Sequence, residues 1–268
     1  MGELKLKTLE EHCEMVEQMG KLSFFLASRW RKEKRSDKTP GELIRDHTPF
    51  FYHGLNHLDY KTKWDNPECQ RILAHADELQ QLPPEEFEVQ MWAFVRDHAM
   101  KRAEQFYPES VGIKVDPGWN CGSLKYDPPA EHPTLPPGKV VFHIANAVSP
   151  HSIFDDPAYL PHCFLLLMKE AELRFGCNVL CTSTWLNEKQ AFLDCFPQEW
   201  HCNLSPRPET MQLPSWHFGW WGQLITRRGT INPQMVNFIR ENGILKYLCR
   251  SSHCSFENMR KHLKEHFF

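Results

Sequence analysis

Apolar residues in the first hundred positions recur at the spacing of an amphipathic helix. The segment Thr8-Leu-Glu-Glu11 matches a capping box, which marks a helix start. The apolar positions that follow it are three or four residues apart: Leu9, Cys13, Val16 and Met19. Pro67 and Pro84 stand where the first residue of a further helix is expected, and each precedes another apolar stripe. The pattern predicts a helical domain over residues 1–107, with its first helix ending near Trp30.

Residues 108–138 break this periodicity. The segment holds seven prolines and four glycines, which leave no room for a long regular element. Trp119, Leu124 and Tyr126 within it favour packing along a surface over a flexible tether. We therefore expect a Pro/Gly-rich packed connector between two domains.

From residue 139 onward, short apolar runs alternate with helical patterns. The predicted strands are 140–147, 178–186, 201–204, 216–225 and 246–251. The predicted helices are 156–175, 187–196, 232–243 and one that Ser255 caps. This alternation predicts an α+β or α/β domain over 139–268, a mixed sheet with βαβ units covered by helices.

Composition narrows the class of protein. Apolar residues make up 41% and charged residues 24% of the chain, as in ordinary globular proteins. The net charge of −3 provides no field that would recruit nucleic acid or an anionic membrane. Ten cysteines occur without any C-x-x-C spacing or an export signal, so we expect reduced thiols and a cytoplasmic location.

The strong catalytic motifs are missing from the sequence. It contains no Walker loop, G-x-G-x-x-G, H-E-x-x-H or G-x-S-x-G. The pair His53 and His57 has helical i, i+4 spacing, but Gly54 and the nearby Thr48-Pro49 weaken the helix. We predict no metal.

An anion site is one interpretation of the segment Thr226 to Pro233. Gly229 allows a close backbone approach, and the helix start that follows offers free N–H groups. Arg227 and Arg228 add positive charge, and Thr230 adds a hydroxyl. The alternative is an ordinary turn with solvated arginines.

The segment Trp216 to Gln223 is the most unusual run in the chain. As a strand it would place His217 and Gln223 on one face and Trp220 on the other. Its glycines leave clefts between aromatic rings, where a ligand can approach. The alternative is that the aromatic residues belong to the core.

The two central predicted strands carry polar residues. His143 and Asn146 belong to the first, and Thr182 and Ser183 to the second. Polar groups near strand ends are where open α/β sheets bind ligands. The alternative is that they are structural residues with satisfied hydrogen bonds.

The runs Val140-Val-Phe-His-Ile-Ala-Asn146 and Leu180-Cys-Thr-Ser-Thr-Trp-Leu186, with the segment 192–200, resemble an uncharacterised acyltransferase-like family. That family pairs a helical N-terminal domain with a C-terminal domain similar to the GCN5-related N-acetyltransferases. The phosphate loop Q/R-x-x-G-x-G/A of those enzymes is not present as such, and only Arg227 to Thr230 approximates it. The resemblance implies an acyltransferase that uses acyl-CoA.

These patterns together predict a transferase acting on an anionic small molecule. His217 or His143 would be the base, with Ser183 or Thr182 as donors to an oxyanion and Gln223 in the same pocket. Arg227 to Thr230 would bind the acyl donor. One alternative is a cofactor-independent lyase, isomerase or hydrolase that uses an aromatic pocket. Another is a non-catalytic binding or assembly protein with an interface of tryptophans.

Overall fold

The computed structural model describes residues 5–34, 37–53, 66–111, 121–131, 133–134, 136–207 and 212–268. Its internal contacts divide the chain into two compact units. The helical unit contains Lys7–Val111 and Pro208–Lys246, and the sheet unit contains Met1–Leu6, Gly112–Arg207 and Tyr247–Phe268. The contacts thus group residues 208–246 with the N-terminal helices, whereas the sequence predicts two consecutive domains.

The regular elements confirm the predicted α+β class, with helices first and a mixed sheet after them. In chain order they are α1 (Leu9–Glu33), α2 (Pro40–His47), α3 (Phe50–His53), α4 (Pro67–Glu78), α5 (Pro84–Ser110), β1 (Leu124–Asp127), β2 (Lys139–Ile144), α6 (Tyr159–Phe175), β3 (Val179–Thr184), α7 (Gln190–Leu193), α8 (Gln198–Cys202), α9 (Phe218–Trp221), α10 (Pro233–Asn242), β4 (Arg250–Ser255) and α11 (Phe256–His266). Short 3-10 turns occupy Pro129–Glu131, Trp185–Glu188 and Gly222–Leu224.

The long helix α1 begins at the predicted capping box. Thr8 Oγ1 accepts from the N–H of Glu11 at 3.2 Å, and Glu11 Oε2 accepts from the N–H of Thr8 at 2.8 Å. These two bonds satisfy backbone donors that a helix start leaves open. The inner face of α1 packs against α2, α3, α5 and α10. Its largest buried side chains there are Phe24 and Trp30.

The sheet has the strand order β1-β2-β3-β4. Its central strands β2 and β3 are parallel and are connected through α6, while β1 and β4 pair antiparallel at the edges. The predicted strand–helix–strand unit is therefore confirmed. The register pairs Val141 with Cys181 between the central strands and Lys125 with His143 at one edge.

One face of the sheet carries the core of its unit. Phe142 meets Phe164 of α6 edge-on at 5.4 Å, and Phe196 stacks on Trp200 of α8 at 4.0 Å. All four rings are almost fully buried. Because side chains alternate along a strand, the residues between the core positions lie on the opposite face. That opposite face carries polar groups.

Two predicted strands are wrong. Residues 216–225 form α9 and a 3-10 turn, because the buried residues Trp221 and Leu224 are three apart and a helical turn buries both. Trp221 also donates from Nε1 to the carbonyl of Ser215 at 2.8 Å. Residues 201–204 do not form a strand either, because α8 extends to Cys202. Phe196 and Trp200, which are four residues apart, stack on each other in the core.

Two further boundaries differ from the prediction. The last strand, β4, covers 250–255 instead of 246–251, and its pairing with β3 sets that register. The strand β1 lies inside the predicted connector, where prolines on both sides hide a run of only four residues. The predicted helix ends at Gly176 and Gly243 are confirmed, and both glycines have positive φ.

Candidate functional site

The exposed face of the sheet holds a hydrogen-bonded carboxylate–imidazole pair. His143 of β2 donates from Nε2 to Oδ2 of Asp127 of β1 at 2.6 Å. The imidazole side chain is 49% exposed and the carboxylate side chain 14% exposed. The bond fixes the ring and makes Nδ1 the nitrogen that can accept a proton. This is the arrangement by which a carboxylate prepares a histidine for general base chemistry.

Ser183 lies on the same exposed face, and Thr182 does not. The ladder between β2 and β3 pairs Lys139 with Val179 through Val141 with Cys181. Beyond it, the buried Thr182 donates from Oγ1 to the carbonyl of Phe142 at 2.6 Å. Thr182 thus joins the ends of the two strands from the core side. Ser183 is exposed and pairs with Ser251 of β4.

The neighbouring residues on this face include groups that sequence reasoning missed. Lys125 lies directly opposite His143 in the antiparallel register, and His253 lies opposite Cys181. Burial raises the pKa of the Cys181 thiol, which also donates to the carbonyl of Val140, so it is a poor nucleophile. Asp127 and Lys125 could have been found only by recognising β1 within the connector.

The segment predicted to bind an anion is a tight hairpin loop in the helical unit. The N–H of Gly229 donates to the carbonyl of Thr226 at 2.9 Å, and φ at Gly229 is 78°, which is the geometry of a tight turn. The hydroxyls of Thr226 and Thr230 are 2.7 Å apart. A bridge between Ile225 and Ile231 closes the loop. A short hairpin therefore separates the arginines from the helix that follows.

The charged groups of this loop differ in their surroundings. Arg228 donates from Nη2 to Oε2 of Glu11 at 2.9 Å, and Arg227 is exposed. Asn232 accepts from the N–H of Met235 through Oδ1 at 3.3 Å, which caps α10. An anion would therefore compete with Glu11 for Arg228 and with the Asn232 cap for the helix start.

His217 and Gln223 do not share the strand face that the sequence predicts, because no strand forms there. His217 is the exposed residue before α9. Gln223 is only 3% exposed and donates from Nε2 to the carbonyl of Trp220 at 2.8 Å. The buried amide nitrogen therefore has a hydrogen-bond partner within its own segment, as a buried polar group requires. The proposed pocket of His217 and Gln223 is therefore wrong as a strand-face arrangement.

His57 and the side chain of His53 lie outside the described residues. Within the described ranges, no group of three or more His, Cys, Asp or Glu side chains is arranged to hold a metal ion. All ten cysteines are present as thiols. Among the helices that the structure describes, none combines the length and the apolar character needed to cross a membrane.

The chain matches no known protein-family model, no curated protein and no solved structure.

Proposed function

We propose that the protein is a small-molecule transferase that moves an acyl group from a thioester donor to a nucleophilic acceptor on the exposed sheet face. The proposal is carried by the hydrogen bond between His143 and Asp127. A carboxylate held 2.6 Å from an exposed imidazole orients the ring and stabilises the imidazolium that forms when the ring takes a proton.

The position of the pair supports the same chemistry. His143 and Ser183 stand near the carboxyl ends of the two parallel strands, where open α/β sheets bind ligands. Lys125, opposite His143, supplies a positive charge that attracts an anionic donor. The resemblance to acyltransferases adds support, because it places a β-strand, a helix and a β-strand in the order that β2, α6 and β3 follow.

The reaction balances with these groups. Nδ1 of His143 takes the proton of an acceptor N–H or O–H as the acceptor atom attacks the carbonyl carbon. Negative charge develops on the carbonyl oxygen, to which the hydroxyl of Ser183 would donate. The carbon–sulfur bond then breaks, and His143 returns the proton to the departing sulfur, so that a thiol is released. Asp127 stays ionised throughout.

A hydrolase is the second candidate, because Ser183 is exposed on the same face of the sheet as the Asp127–His143 pair. In that case the serine oxygen attacks the acyl carbon as His143 takes the hydroxyl proton, and the carbon–sulfur bond breaks so that the thiol leaves with that proton. Water then hydrolyses the acyl–serine ester. Thiol release that requires an added amine favours transfer. Thiol release without an acceptor, lost in Ser183→Ala, favours hydrolysis.

The test is thiol release from acetyl-CoA with a panel of small amines. We expect His143→Ala to lose at least about a hundredfold of the rate, the usual contribution of a general base. Asp127→Asn should lose less, since the imidazole remains but its orientation does not. The matched control is His151→Ala, another exposed histidine of the same unit. A wild-type protein that releases no thiol, or a His143→Ala variant as fast as wild type, contradicts the proposal.

The loop of residues 227–230, in the helical unit, is tested separately by its own variants. We propose that Arg227, Arg228, Gly229 and Thr230 bind phosphate groups such as those of coenzyme A. Replacing both arginines with alanine should weaken coenzyme A binding more than about tenfold in calorimetry, since two charge-assisted contacts are lost. The melting temperature should change little, because a partly exposed ion pair such as Arg228–Glu11 contributes little stability. Unchanged binding in the double variant contradicts a phosphate site in this loop.

A further inference from the structure

A cavity of about 800 Å³ opens in the sheet unit, on the side of α11 that faces away from the core. The core side of this helix carries Phe256, Met259 and Leu263. The cavity side carries polar residues at helical spacing: Asn258, Lys261, His262, Glu265 and His266. The opposite wall comes from the segment of α7 and α8 and includes Asp194 and His201. None of these residues belongs to the proposed acyl-transfer site.

Two imidazoles on this wall are one helical turn apart. The ring centroids of His262 and His266 are 4.5 Å apart, with their planes tilted by 45°. With a metal–nitrogen bond of about 2.0–2.1 Å, the centre of an imidazole ring lies roughly 3.2 Å from the metal. Two such ligands whose metal–nitrogen bonds form a right angle therefore have ring centres about 4.5 Å apart, whatever the tilt between the ring planes. The observed separation therefore equals the one that cis coordination requires.

We propose that His262 and His266 form a binding site for a divalent late transition-metal ion, with Ni²⁺ and Cu²⁺ as the best-suited ions, at the edge of this cavity. Two neighbouring nitrogen ligands suit these ions, since tetragonal coordination accepts cis imidazoles and leaves its other positions to water. Within the described residues no third His, Cys, Asp or Glu completes such a set, so the site has two protein ligands.

His262 has the surroundings of a metal ligand. Its Nε2 is 3.0 Å from the carbonyl oxygen of Asp194, and a carbonyl can only accept, so Nε2 carries the hydrogen. Such a bond to a backbone carbonyl fixes the ring and leaves the Nδ1 lone pair for a metal. Burial also lowers the pKa of His262, although the bond to Asp194 acts in the opposite sense.

The cavity provides the rest of the coordination sphere. His266 is exposed, so the site is open to solvent. His201 and Glu265 line the same cavity as His262. The open volume leaves space for water molecules on the ion.

The experiment is calorimetric titration of the full-length protein with NiCl₂, an ion that does not oxidise thiols. We expect one site in the wild type that His266→Ala weakens by more than about tenfold, the scale on which metal sites respond to lost partners. His262→Ala should have the same effect. Because His266 is exposed, its variant keeps the fold even if His262→Ala does not.

The matched control is His75→Ala. His75 also lies on a helix with a metal-binding side chain one turn away, Glu78, at 3.1 Å. Its loss should leave the Ni²⁺ affinity unchanged. With Cu²⁺, the electron paramagnetic resonance spectrum should show coupling to two imidazole nitrogens, and to one in His266→Ala. A wild-type protein that binds no Ni²⁺, or variants that bind it as tightly as wild type, overturns the proposal.

Discussion

The indole of Trp30, near the end of α1, donates from Nε1 to the carbonyl oxygen of Gly243 at 2.8 Å, across 213 positions of the chain. Arg29 adds a bond from Nη1 to the carbonyl of Arg240 at 2.6 Å. A helix leaves its last carbonyls without internal partners. Side chains of α1 therefore satisfy the end of α10, which explains why residues 208–246 belong to the helical unit.

We predict that Trp30→Phe destabilises the protein by about 1–3 kcal/mol, because the buried carbonyl of Gly243 loses its partner. The matched control is Trp92→Phe. Trp92 Nε1 is also buried, but no described atom accepts its hydrogen. Trp92→Phe removes the same ring volume without breaking a hydrogen bond, so it should cost less stability than Trp30→Phe. Urea denaturation of both variants measures the difference, and equal losses would show that the Trp30 bond contributes nothing.

The two tryptophans of α9 should differ strongly. Trp221 is fully buried and its N–H is bonded to Ser215, whereas Trp220 is partly exposed. Trp221→Ala should cost about 3–5 kcal/mol, the range for a large core side chain. Trp220→Ala should cost less, and the exposed His217→Ala should change stability by about 0.5 kcal/mol or less. If Trp220→Ala lost more stability than Trp221→Ala, the result would contradict the helix α9 and favour the predicted strand.

Thiol reactivity should follow exposure. Cys202 is exposed, while most of the other cysteines are buried. Burial raises the pKa of Cys121 to about 11 and that of Cys195 to about 12, which reduces the reactive thiolate further. With a colorimetric disulfide reagent, the native protein should show one fast thiol that Cys202→Ser removes. A fast phase that survives in Cys202→Ser would contradict this assignment. The unfolded protein should titrate ten.

Stability should fall at alkaline pH. Burial raises the pKa of Cys195 from its ordinary 9.0 to about 12. Between these values the unfolded chain loses the proton and the folded chain keeps it, so unfolding becomes more favourable as pH rises. Each such thiol contributes a slope of about 1.4 kcal/mol per pH unit.

Cys195→Ala isolates this contribution. Its unfolding free energy will be lower near neutral pH because of the cavity, but its decline from pH 9 to pH 11 should be shallower than in the wild type. Denaturant melts across this range supply the comparison. Parallel declines would mean that Cys195 does not titrate on unfolding in this window.

The sequence identifies polar residues of the candidate site but not how their side chains are arranged in space. His143 and Ser183 are visible in the sequence as polar groups in apolar strands, and alternation places both on one face. Asp127, the partner of His143, was missed because β1 is four residues long and flanked by prolines. Pairing between β1 and β2 brings the carboxylate to the imidazole, and pairing is a contact between distant segments.

The sequence by itself determined the helices with capping signals, the two central strands and the mixed character of the sheet. Capping boxes, αL glycines and strand alternation act within a few residues, so they can be read locally. Tertiary structure alone decided that residues 216–225 are helical, that 208–246 belong with the N-terminal helices, and that His262 meets Asp194. Those outcomes depend on which distant surface buries Trp221, caps α10 or lies beside α11, and burial of side chains outweighs local propensity.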